Sequence, residues 1–325
     1  ETRIPQDGRF HAAVSGKEID LRVSTFPTSE GEKVAIRILD PEAGIKELPM
    51  LGIEGRNLTL IQESIKKPFG LILITGPTGS GKSTTLYAIM QLLNKEAVNV
   101  VSVEDPIEYY ISGVNQSQIR PEIGYTFAAG VRNILRQDPD IIMVGEIRDK
   151  ETAAMAIHAA LTGHIVLSTI HTNNVIGVIP RLIDMGVDPY LIPATLILAI
   201  GQRLIQTLCK ESRKEIPLTG KTKELIDKEI QLMPPELREE VKKNIKEVIY
   251  ESEISPMCPR GTRGRTGIFE VMTMTPELEQ IILREPSENA IAKEVLRQGM
   301  TTMRQDGILK VLRGDIGLKR LWEVV

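Results

Sequence analysis

The chain has 325 residues, of which 42% are hydrophobic and 26% charged, and its formal net charge is −3. This length is enough for about two domains with a substantial core, and the nearly balanced charge argues against nucleic acid as a partner. The longest apolar stretch, residues 191–200, is too short to span a bilayer and contains a proline, so we expect no transmembrane segment.

Cysteine use and the start of the chain indicate its compartment. Cys209 and Cys258 are the two cysteines, a number that fits a reducing cytoplasm better than a disulfide framework. The sequence has no secretory signal pattern and begins with Glu1 rather than methionine, so we expect a fragment or a processed product. The composition therefore predicts a cytoplasmic protein.

Residues 10–39 alternate apolar and polar side chains, as half-buried strands do. The apolar positions of the alternation are Ile19, Leu21, Val23, Val34, Ile36 and Ile38. We expect turns at Ser15-Gly16 and at residues 27–31. Arg22 and Arg37 fall on the polar side of their strands, where a solvated sheet face is the simpler interpretation.

The rest of the chain changes character several times. Residues 40–55 have the composition of a linker. From residue 56 to 206, strand patterns alternate with helical ones, which indicates an α/β domain built on a mostly parallel sheet. Residues 219–251 are a charged, helix-forming insertion, and residues 275–325 favour a small helical tail.

The most specific motif begins after the first buried strand of the α/β domain. Residues 71–83 read LILITGPTGSGKS, an apolar run followed by G-x-x-x-x-G-K-S. Gly76, Gly79 and Gly81 allow backbone conformations in which successive N–H groups point at a phosphate. Since residues 84–93 are helix-competent, the phosphate would lie at a helix N-terminus. The residues expected to bind nucleotide are Gly76, Pro77, Thr78, Gly79, Ser80, Gly81, Lys82, Ser83 and Thr84.

Two side chains of this loop carry the chemistry of the motif. Lys82 is expected to reach the β- and γ-phosphates, and the Ser83 hydroxyl to ligate Mg²⁺. The alternative interpretation is a glycine-rich surface turn, but the strand before the loop and the helix after it favour a phosphate-binding loop. The motif therefore predicts a protein that binds a nucleoside triphosphate.

Acidic residues follow two further buried strands. Residues 98–103 lead to Glu104 and Asp105, and residues 140–144 lead to Glu146. Ligands of open α/β sheets bind at these carboxyl ends of the strands, where a rigidly held carboxylate can activate water. We favour Glu146 as the catalytic base, with Glu104 as the alternative, and we expect Asp105 and Glu146 to bind Mg²⁺ through water.

A histidine follows a third strand pattern, at residues 165–170. His171 emerges at the end of this strand, where an imidazole can donate to a γ-phosphate or orient the attacking water. His164 lies at the entry of the strand and favours a structural role. His158 falls in an alanine-rich helix and has no evident function.

Two arginines raise the question of assembly. Arg132 and Arg136 are four residues apart in the predicted helix 127–137 and therefore share a face. Each is suited to an ordinary surface ion pair. Phosphoryl transfer also needs positive charge opposite Lys82, and arginines from a neighbouring subunit are one common source of it.

Four segments of the chain together resemble a known family. GPTGSGKST, VEDPIEY, RQDPDIIMVGEIRD and TGHIVLSTIHTN occur in this order. They resemble the four signature motifs of the secretion ATPase superfamily and are most similar to those of the type II secretion (GspE) and type IV pilus assembly (PilB) ATPases. The flanking segments PQDGRF, QRLIQTLC, GRTGIFEV and RQDGILKVLRG extend the resemblance over nearly the whole chain.

The resemblance implies a fold and a division into domains. It implies an α/β, RecA-like P-loop motor domain preceded by a partial N-terminal β-sheet (PAS-like) domain. The implied bounds are 1–42 for the sheet domain, 43–55 for a linker, 56–207 for the ATPase core, 208–267 for an insertion and 268–325 for a C-terminal helical subdomain. Ahead of PQDGRF the family has a further part of its sheet domain, and often a recruitment domain, which we expect this chain to lack.

The resemblance also implies the activity and its partners. Such proteins are homo-hexamers that hydrolyse ATP with Mg²⁺, and nucleotide binds between the two domains. Arginines from both domains converge on the phosphates; by matching position these are Arg22, Arg37, Arg132 and Arg136, which favours a functional role for the strand arginines. The expected location is the cytoplasmic face of the inner membrane, with a polytopic platform protein that adds pilin or pseudopilin subunits and a recruitment protein as partners.

One departure from the family pattern concerns zinc. The family has C-x-x-C near the start of the insertion and again just before G-x-x-G-R-x-G-I, and the four thiolates form a zinc clip. Here the two segments read CKES from Cys209 and SPMC ending at Cys258. Because serine oxygens are neither soft nor ionised at neutral pH, we predict no structural zinc, with the two cysteines still close together.

Other functions remain as alternatives. The insertion argues against the pilus retraction ATPases (PilT), which lack it, and the nearest match to a guanine-reading N-K-x-D motif, at residues 94–97, lacks the aspartate. A nucleic-acid translocating motor would need basic residues that face a pore. A nucleotide-regulated scaffold without turnover would tolerate the replacement of Glu146.

Overall fold

Within residues 1–14, 17–39 and 46–325, which the computed structural model describes, the strands form three sheets. The predicted turn at Ser15-Gly16 and the first part of the predicted linker, residues 40–45, lie outside the described residues. None of the helices in the described ranges combines the length and the apolar character that a bilayer crossing requires.

The first sheet is an antiparallel meander of β1 (Gln6–Val14), β2 (Lys17–Thr28) and β3 (Gly31–Leu39). Arg22 and Arg37 are direct register partners, so they share one face, as the alternation predicts. The opposite face is apolar, and three of its residues, Val34, Ile36 and Ile38, have 52%, 59% and 66% of their surface exposed.

The largest sheet has seven strands in the order β12-β9-β4-β8-β7-β5-β6. Its strands are β4 (Gly70–Thr75), β5 (Val100–Glu104), β6 (Val114–Gln118), β7 (Ile141–Ile147), β8 (Ile165–Ile170), β9 (Leu196–Leu208) and β12 (Thr262–Thr273). All neighbouring pairs are parallel except β12 with β9. This arrangement confirms the predicted α/β class, because the connections between parallel strands carry helices to the faces of the sheet.

Helices cover both faces of this sheet. They are α1 (Gly55–Ser64), α2 (Lys82–Leu93), α3 (Phe127–Ile134), α4 (Lys150–Leu161), α5 (Val178–Asp184) and α6 (Leu191–Thr195). Side chains of β4 alternate between the two layers: Leu71 and Leu73 join the core with α3, α4 and α5, whereas Ile72 and Ile74 join the core with α1 and α2. Burial on both faces explains why β4 is a continuous apolar run.

Beyond β9 the chain adds a two-stranded sheet and further helices, and it also supplies β12 to the large sheet. β10 (Lys214–Pro217) pairs with β11 (Val248–Glu251), and α7 (Gly220–Gln231) and α8 (Pro235–Asn244) lie between them in sequence. The predicted helical character of residues 219–251 is therefore wrong for its last four residues, which form a strand because β10 supplies a partner. The C-terminal helices are α9 (Pro276–Arg284), α10 (Glu288–Arg297), α11 (Met303–Arg313) and α12 (Leu318–Val324), as the sequence predicts.

Two buried charged groups attach the C-terminal helices to β12. Lys310 on α11 is 1% exposed, and its Nζ donates to Asp306 Oδ2 at 2.6 Å and to the Gly267 carbonyl at 2.7 Å. Glu270 on β12 accepts from the backbone N–H of Val175 at 2.8 Å and of Met303 at 3.3 Å. Burial raises the pKa of Glu270 above its ordinary value.

Candidate active site

The phosphate loop connects the end of β4 to the start of α2. Gly76, Gly79 and Gly81 have φ values of +145°, +78° and +88°, a region that residues with a Cβ rarely adopt. The N-terminus of α2 has no side-chain cap, and the buried Ser80 hydroxyl has no hydrogen-bond partner in the part of the chain that the structure describes. The loop therefore offers unpaired donors to an anion at a helix N-terminus.

Lys82, the first residue of α2, folds back over the loop. Its Nζ donates to the carbonyls of Gly76 at 2.9 Å and Pro77 at 3.1 Å. Burial lowers the pKa of Lys82, and the charge of Glu146 opposes this shift. The two acceptors of the ammonium are thus neutral carbonyls, and a negatively charged phosphate would be a stronger partner for it.

A cavity of about 740 Å³ opens beside this loop. Its lining includes Thr78, Gly79, Gly81, Lys82, Ser83 and Thr84 of the loop, together with Glu104, Asp105, Glu146 and His171 from the ends of β5, β7 and β8. The structure therefore brings most of the predicted site residues to one cavity. Its volume falls in the range of small-molecule and cofactor sites.

A bulge in β7 directs Glu146 into the cavity. Val144 pairs with Ser168 and Ile147 with Ile170, so two residues of β7 oppose the single residue Thr169 on β8. The Thr169 hydroxyl donates to the carbonyl of Gly145 at 2.8 Å. The expectation that this strand ends at Val144 is wrong: it continues to Ile147, and the extra residue turns the Glu146 side chain toward β8.

Glu146 lies between two basic groups. Its Oε2 is 3.0 Å from His171 Nε2, and its Oε1 forms an ion pair with Arg148. The side chain of Glu146 is 13% exposed. The hydrogen bond to Glu146 raises the pKa of Arg148, whose guanidinium also lies 3.9 Å from Asp105 Oδ2. No role was predicted for Arg148 from the sequence, although it is part of the same motif.

Glu104 has a different environment. Tyr87 donates its hydroxyl to Oε2, and Ser102 and Gln116 donate to Oε1 at 2.7 Å and 2.9 Å. The residue is 3% exposed, and burial raises its pKa in spite of these three donors. Its oxygens are therefore largely occupied by protein.

The arginines divide into two groups. Arg37 lines the cavity, and Arg22 is its register partner on β2. Arg132 forms an ion pair of 2.9 Å with Glu151, and Arg136 donates to the Arg132 carbonyl at 3.0 Å. Neither is part of the cavity lining among the described residues.

Helix α3 is also shorter than predicted, because it ends at Ile134 rather than at residue 137. The reason lies in the residues that follow it. Asp138 has a φ of +48° and precedes Pro139, a combination that ends a helix. Arg136 therefore lies just beyond the helix rather than on its last turn.

Several lining residues were not assigned to a site from the sequence, although some of them lie in the segments that resemble the family. They are Lys46, Met50, Leu51, Tyr109, Gln202, Leu204, Arg265 and Gly267. Met50 and Leu51 belong to a 3₁₀ turn before α1, and the last four lie on β9 and β12. Only the strand order reveals them, because β9 and β12 form the side of the sheet next to β4.

The two cysteines lie together in the insertion, as predicted. Both are buried, and the hydrogen bond to Cys258 raises the pKa of the Cys209 thiol to about 11. The serines of the CKES and SPMC segments make local hydrogen bonds: the Ser212 hydroxyl donates to the Glu253 carbonyl, and the Ser255 hydroxyl accepts from the Cys258 N–H. Among the described residues, no group of three or more His, Cys, Asp or Glu side chains is arranged to hold a metal.

Comparison with known proteins gives consistent matches. The sequence profile of the family described as Type II/IV secretion system protein matches residues 1–323. The type II secretion system ATPase E of Vibrio cholerae is 43% identical over 325 residues, which cover 100% of this chain and 62% of that protein. The type IV pilus assembly ATPase PilB of Acinetobacter baylyi is 42% identical over 323 residues, 99% of this chain and 54% of that protein.

A solved structure of a pilus motor has a similar fold. A crystal structure of the pilus retraction motor PilT with bound ADP is similar with a TM-score of 0.69 and 27% identity, over 99% of this chain and 77% of that chain. This likeness confirms the predicted RecA-like core with a small N-terminal sheet. The chain spans about three fifths of the length of the curated type II secretion proteins that it matches.

Proposed function

Since the chain belongs to the type II/IV secretion system protein family, we propose that it hydrolyses ATP in the cavity beside the phosphate loop. The observation that carries the proposal is the convergence of Lys82, Glu146 and His171 on one cavity. Phosphoryl transfer to water needs a phosphate-binding cation and a base held close together. Two similar curated relatives carry the word ATPase in their names, which supports the same activity.

The loop residues 76–84 would bind the triphosphate. The uncapped N-terminus of α2 and the unpaired Ser80 hydroxyl supply donors of the kind that phosphate oxygens accept. Lys82 would exchange its two carbonyl contacts for the β- and γ-phosphates. The apolar side chains of Met50, Leu51 and Leu204 line the same cavity and would face the nucleoside.

Ser83, Asp105 and Glu146 are suited to Mg²⁺. All three line the cavity and supply hydroxyl or carboxylate oxygens, the ligand atoms that this ion prefers. Ser83 would bind it directly, and Asp105 and Glu146 through water. When bound, the ion neutralises charge on the phosphates.

Glu146 is the better candidate for the base than Glu104. Glu146 faces the cavity with His171 against one oxygen, whereas three protein donors occupy the oxygens of Glu104. In this assignment Glu146 accepts a proton from the attacking water. His171 orients the carboxylate and senses the γ-phosphate.

The arginines would complete the site from two directions. Arg37 and Arg22 would approach the phosphates from the N-terminal sheet of the same chain. Arg132 and Arg136 would approach from a neighbouring subunit of a homo-hexamer, where Arg132 leaves Glu151 for a phosphate. Hydrolysis would then release contacts between rigid bodies and so drive motion around the ring.

In its biological setting the motor would power the assembly of pilin or pseudopilin subunits. The insertion that contains α7 and α8 supports assembly or secretion over pilus retraction. We place the protein at the cytoplasmic face of the inner membrane. There it would act on a polytopic platform protein, with a recruitment protein as a second partner.

The activity is tested by phosphate release from Mg-ATP with three variants. Lys82→Ala and Glu146→Gln should each lower kcat by about 100-fold or more, because they remove the phosphate-binding cation and the base. Glu279→Gln, an exposed carboxylate on α9, is the matched control and should retain the wild-type rate. A Glu146→Gln protein with normal turnover would contradict the proposal, and a larger loss in Glu104→Gln would reverse the assignment of the base.

A further inference from the structure

Strand β9 continues past the end of β4 and runs along the phosphate loop. The parallel pairing of the two strands extends to Thr75 and Gly201, and β4 ends at Thr75. Gln202 is therefore the first β9 residue beyond this pairing, beside Gly76, where the chain leaves the sheet. A side chain at this position can contact the loop from within the protein.

The Gln202 side chain is bonded to the loop through both ends of its amide. Its Nε2 donates to the Ser80 carbonyl at 2.7 Å, and its Oε1 accepts from the Thr85 hydroxyl at 2.8 Å. Gln202 and Ser80 are each 2% exposed and Thr85 is fully buried. Water cannot replace these bonds, so their loss would leave buried polar groups unpaired.

These two contacts lie on either side of the residues proposed to act on the triphosphate. Ser80 precedes Lys82 by two residues, and Thr85 follows Ser83 by two residues. One rigid amide on β9 thus fixes both ends of the short segment that carries the ammonium and the Mg²⁺-binding hydroxyl. The orientation of the intervening N–H groups depends on the same two anchor points.

Two glycines of the loop leave room for the close approach of Gln202. A Cβ on Gly76 would lie 2.2 Å from the Gln202 carbonyl oxygen, and a Cβ on Gly81 would lie 2.9 Å from its Nε2. Both distances are too short for real contacts. The glycines therefore serve the close approach of β9 as well as the positive φ of the loop.

Gln202 also lines the cavity, so a direct contact with nucleotide is the alternative role. Against this, both amide heteroatoms already have protein partners. We infer that Gln202 is a positioning residue, which holds residues 80–85 in the conformation that binds the phosphates. This inference rests on the proposed role of the loop in nucleotide binding.

The test compares nucleotide affinity with folding. The full 325-residue chain is titrated with N-methylanthraniloyl-ADP and Mg²⁺, and thermal unfolding is followed separately. Gln202→Met keeps the length of the side chain but makes neither bond, and should weaken binding about tenfold or more. Gln202→Glu keeps the acceptor for Thr85 but sets a carboxylate against the Ser80 carbonyl, and should weaken binding further.

Three controls separate positioning from packing. Gln206→Met changes an exposed glutamine on the same strand and should bind as wild type does. Thr85→Ser keeps the hydroxyl and should retain affinity, whereas Thr85→Val should lose severalfold. The Thr85 pair also decides the question if Gln202→Met does not fold.

The outcomes are distinct. If Gln202→Met lowers only the unfolding temperature and binds nucleotide within twofold of wild type, the positioning role is overturned, as it is if Thr85→Val binds normally. Lys82→Ala distinguishes a failure of the inference about Gln202 from a failure of the proposed function. If Lys82→Ala also binds normally, the proposed function fails; if it alone loses binding, only the inference about Gln202 fails.

Discussion

Thr75 and Thr172 connect the phosphate loop to the strand end that carries His171. The Thr75 hydroxyl accepts from the Thr172 N–H at 2.9 Å and lies 2.9 Å and 2.7 Å from the Thr172 carbonyl and hydroxyl oxygens. Thr75 precedes the loop and Thr172 follows His171 directly. The distance between the loop and the imidazole therefore depends on one buried hydroxyl.

We expect Thr75→Val to lower kcat about tenfold while nucleotide affinity stays near wild type. The valine leaves the Thr172 N–H without its acceptor, which displaces His171 and Glu146 from their positions without removing a phosphate donor. Thr75→Ser keeps the hydroxyl and should retain the wild-type rate. Single-turnover hydrolysis and nucleotide titration separate the two effects, and equal losses in both variants would assign the effect to packing instead.

At the scale of elements, a buried ion pair within α11 bonds this helix to the backbone of β12. Asp306 accepts from the Phe269 N–H at 2.8 Å and from Lys310, which in turn donates to the Gly267 carbonyl. The Lys310 side chain is 2% exposed and that of Asp306 is 14% exposed. Each charge is thus compensated by the other and by the backbone of β12.

Lys310→Met should destabilise the protein by about 3–5 kcal/mol, because it leaves the Asp306 carboxylate buried without its partner. Lys223→Met is the matched control: Lys223 and Asp227 have the same helical spacing, 3.1 Å apart, but are exposed. That change should cost less than about 1 kcal/mol. Urea unfolding measures both, and equal losses would show that the burial of the α11 pair has no special importance.

Glu270 makes the stability of the same region dependent on pH. Burial raises its folded-state pKa above the ordinary value of 4.5, so its contribution to stability is present below that value and is lost as pH rises through the folded-state pKa. The stability of the wild type relative to Glu270→Gln should therefore fall as pH rises through this window. Urea unfolding at several pH values tests this, with the exposed Glu279→Gln as the comparison variant.

At the scale of the whole molecule, we propose that a complete site draws on two subunits. Glu146→Gln lacks the base but keeps its arginines, whereas an Arg132→Ala, Arg136→Ala double variant keeps the base. If the arginines act on a neighbour, mixing these two inactive proteins creates some complete sites, and ATPase activity should rise above the sum of the separate rates. The control mixture combines Glu146→Gln with Lys82→Ala. Both changes affect the part of the site that one subunit supplies, so mixing them creates no complete site.

If the mixture of Glu146→Gln with the double arginine variant stays at the sum of the separate rates, the contribution from a neighbour is contradicted. A second measurement supports the interpretation. The specific ATPase rate of the wild type should rise with protein concentration, since complete sites form only on assembly.

Local sequence patterns predicted the phosphate loop and the strands beside it, but not the contacts between residues that are far apart in the chain. The conformation of the phosphate loop follows from Gly76, Gly79 and Gly81, and the strand end that carries His171 follows from an apolar run. The bulge that directs Glu146 does not follow from the apolar run before it. The contacts of Gln202 with Thr85 and of Thr75 with Thr172 join residues 117 and 97 positions apart. No local pattern specifies them, because they depend on which strands become neighbours in the sheet.

The N-terminal sheet has a practical consequence for such measurements. The exposed apolar side chains of Val34, Ile36 and Ile38 form a strip along β3. Exposed strips of this kind associate with one another without a defined stoichiometry. In light scattering at increasing protein concentration, association through this strip therefore raises the apparent mass just as ring closure does. Replacing the three side chains with threonine should abolish this non-specific association and leave ring formation unchanged.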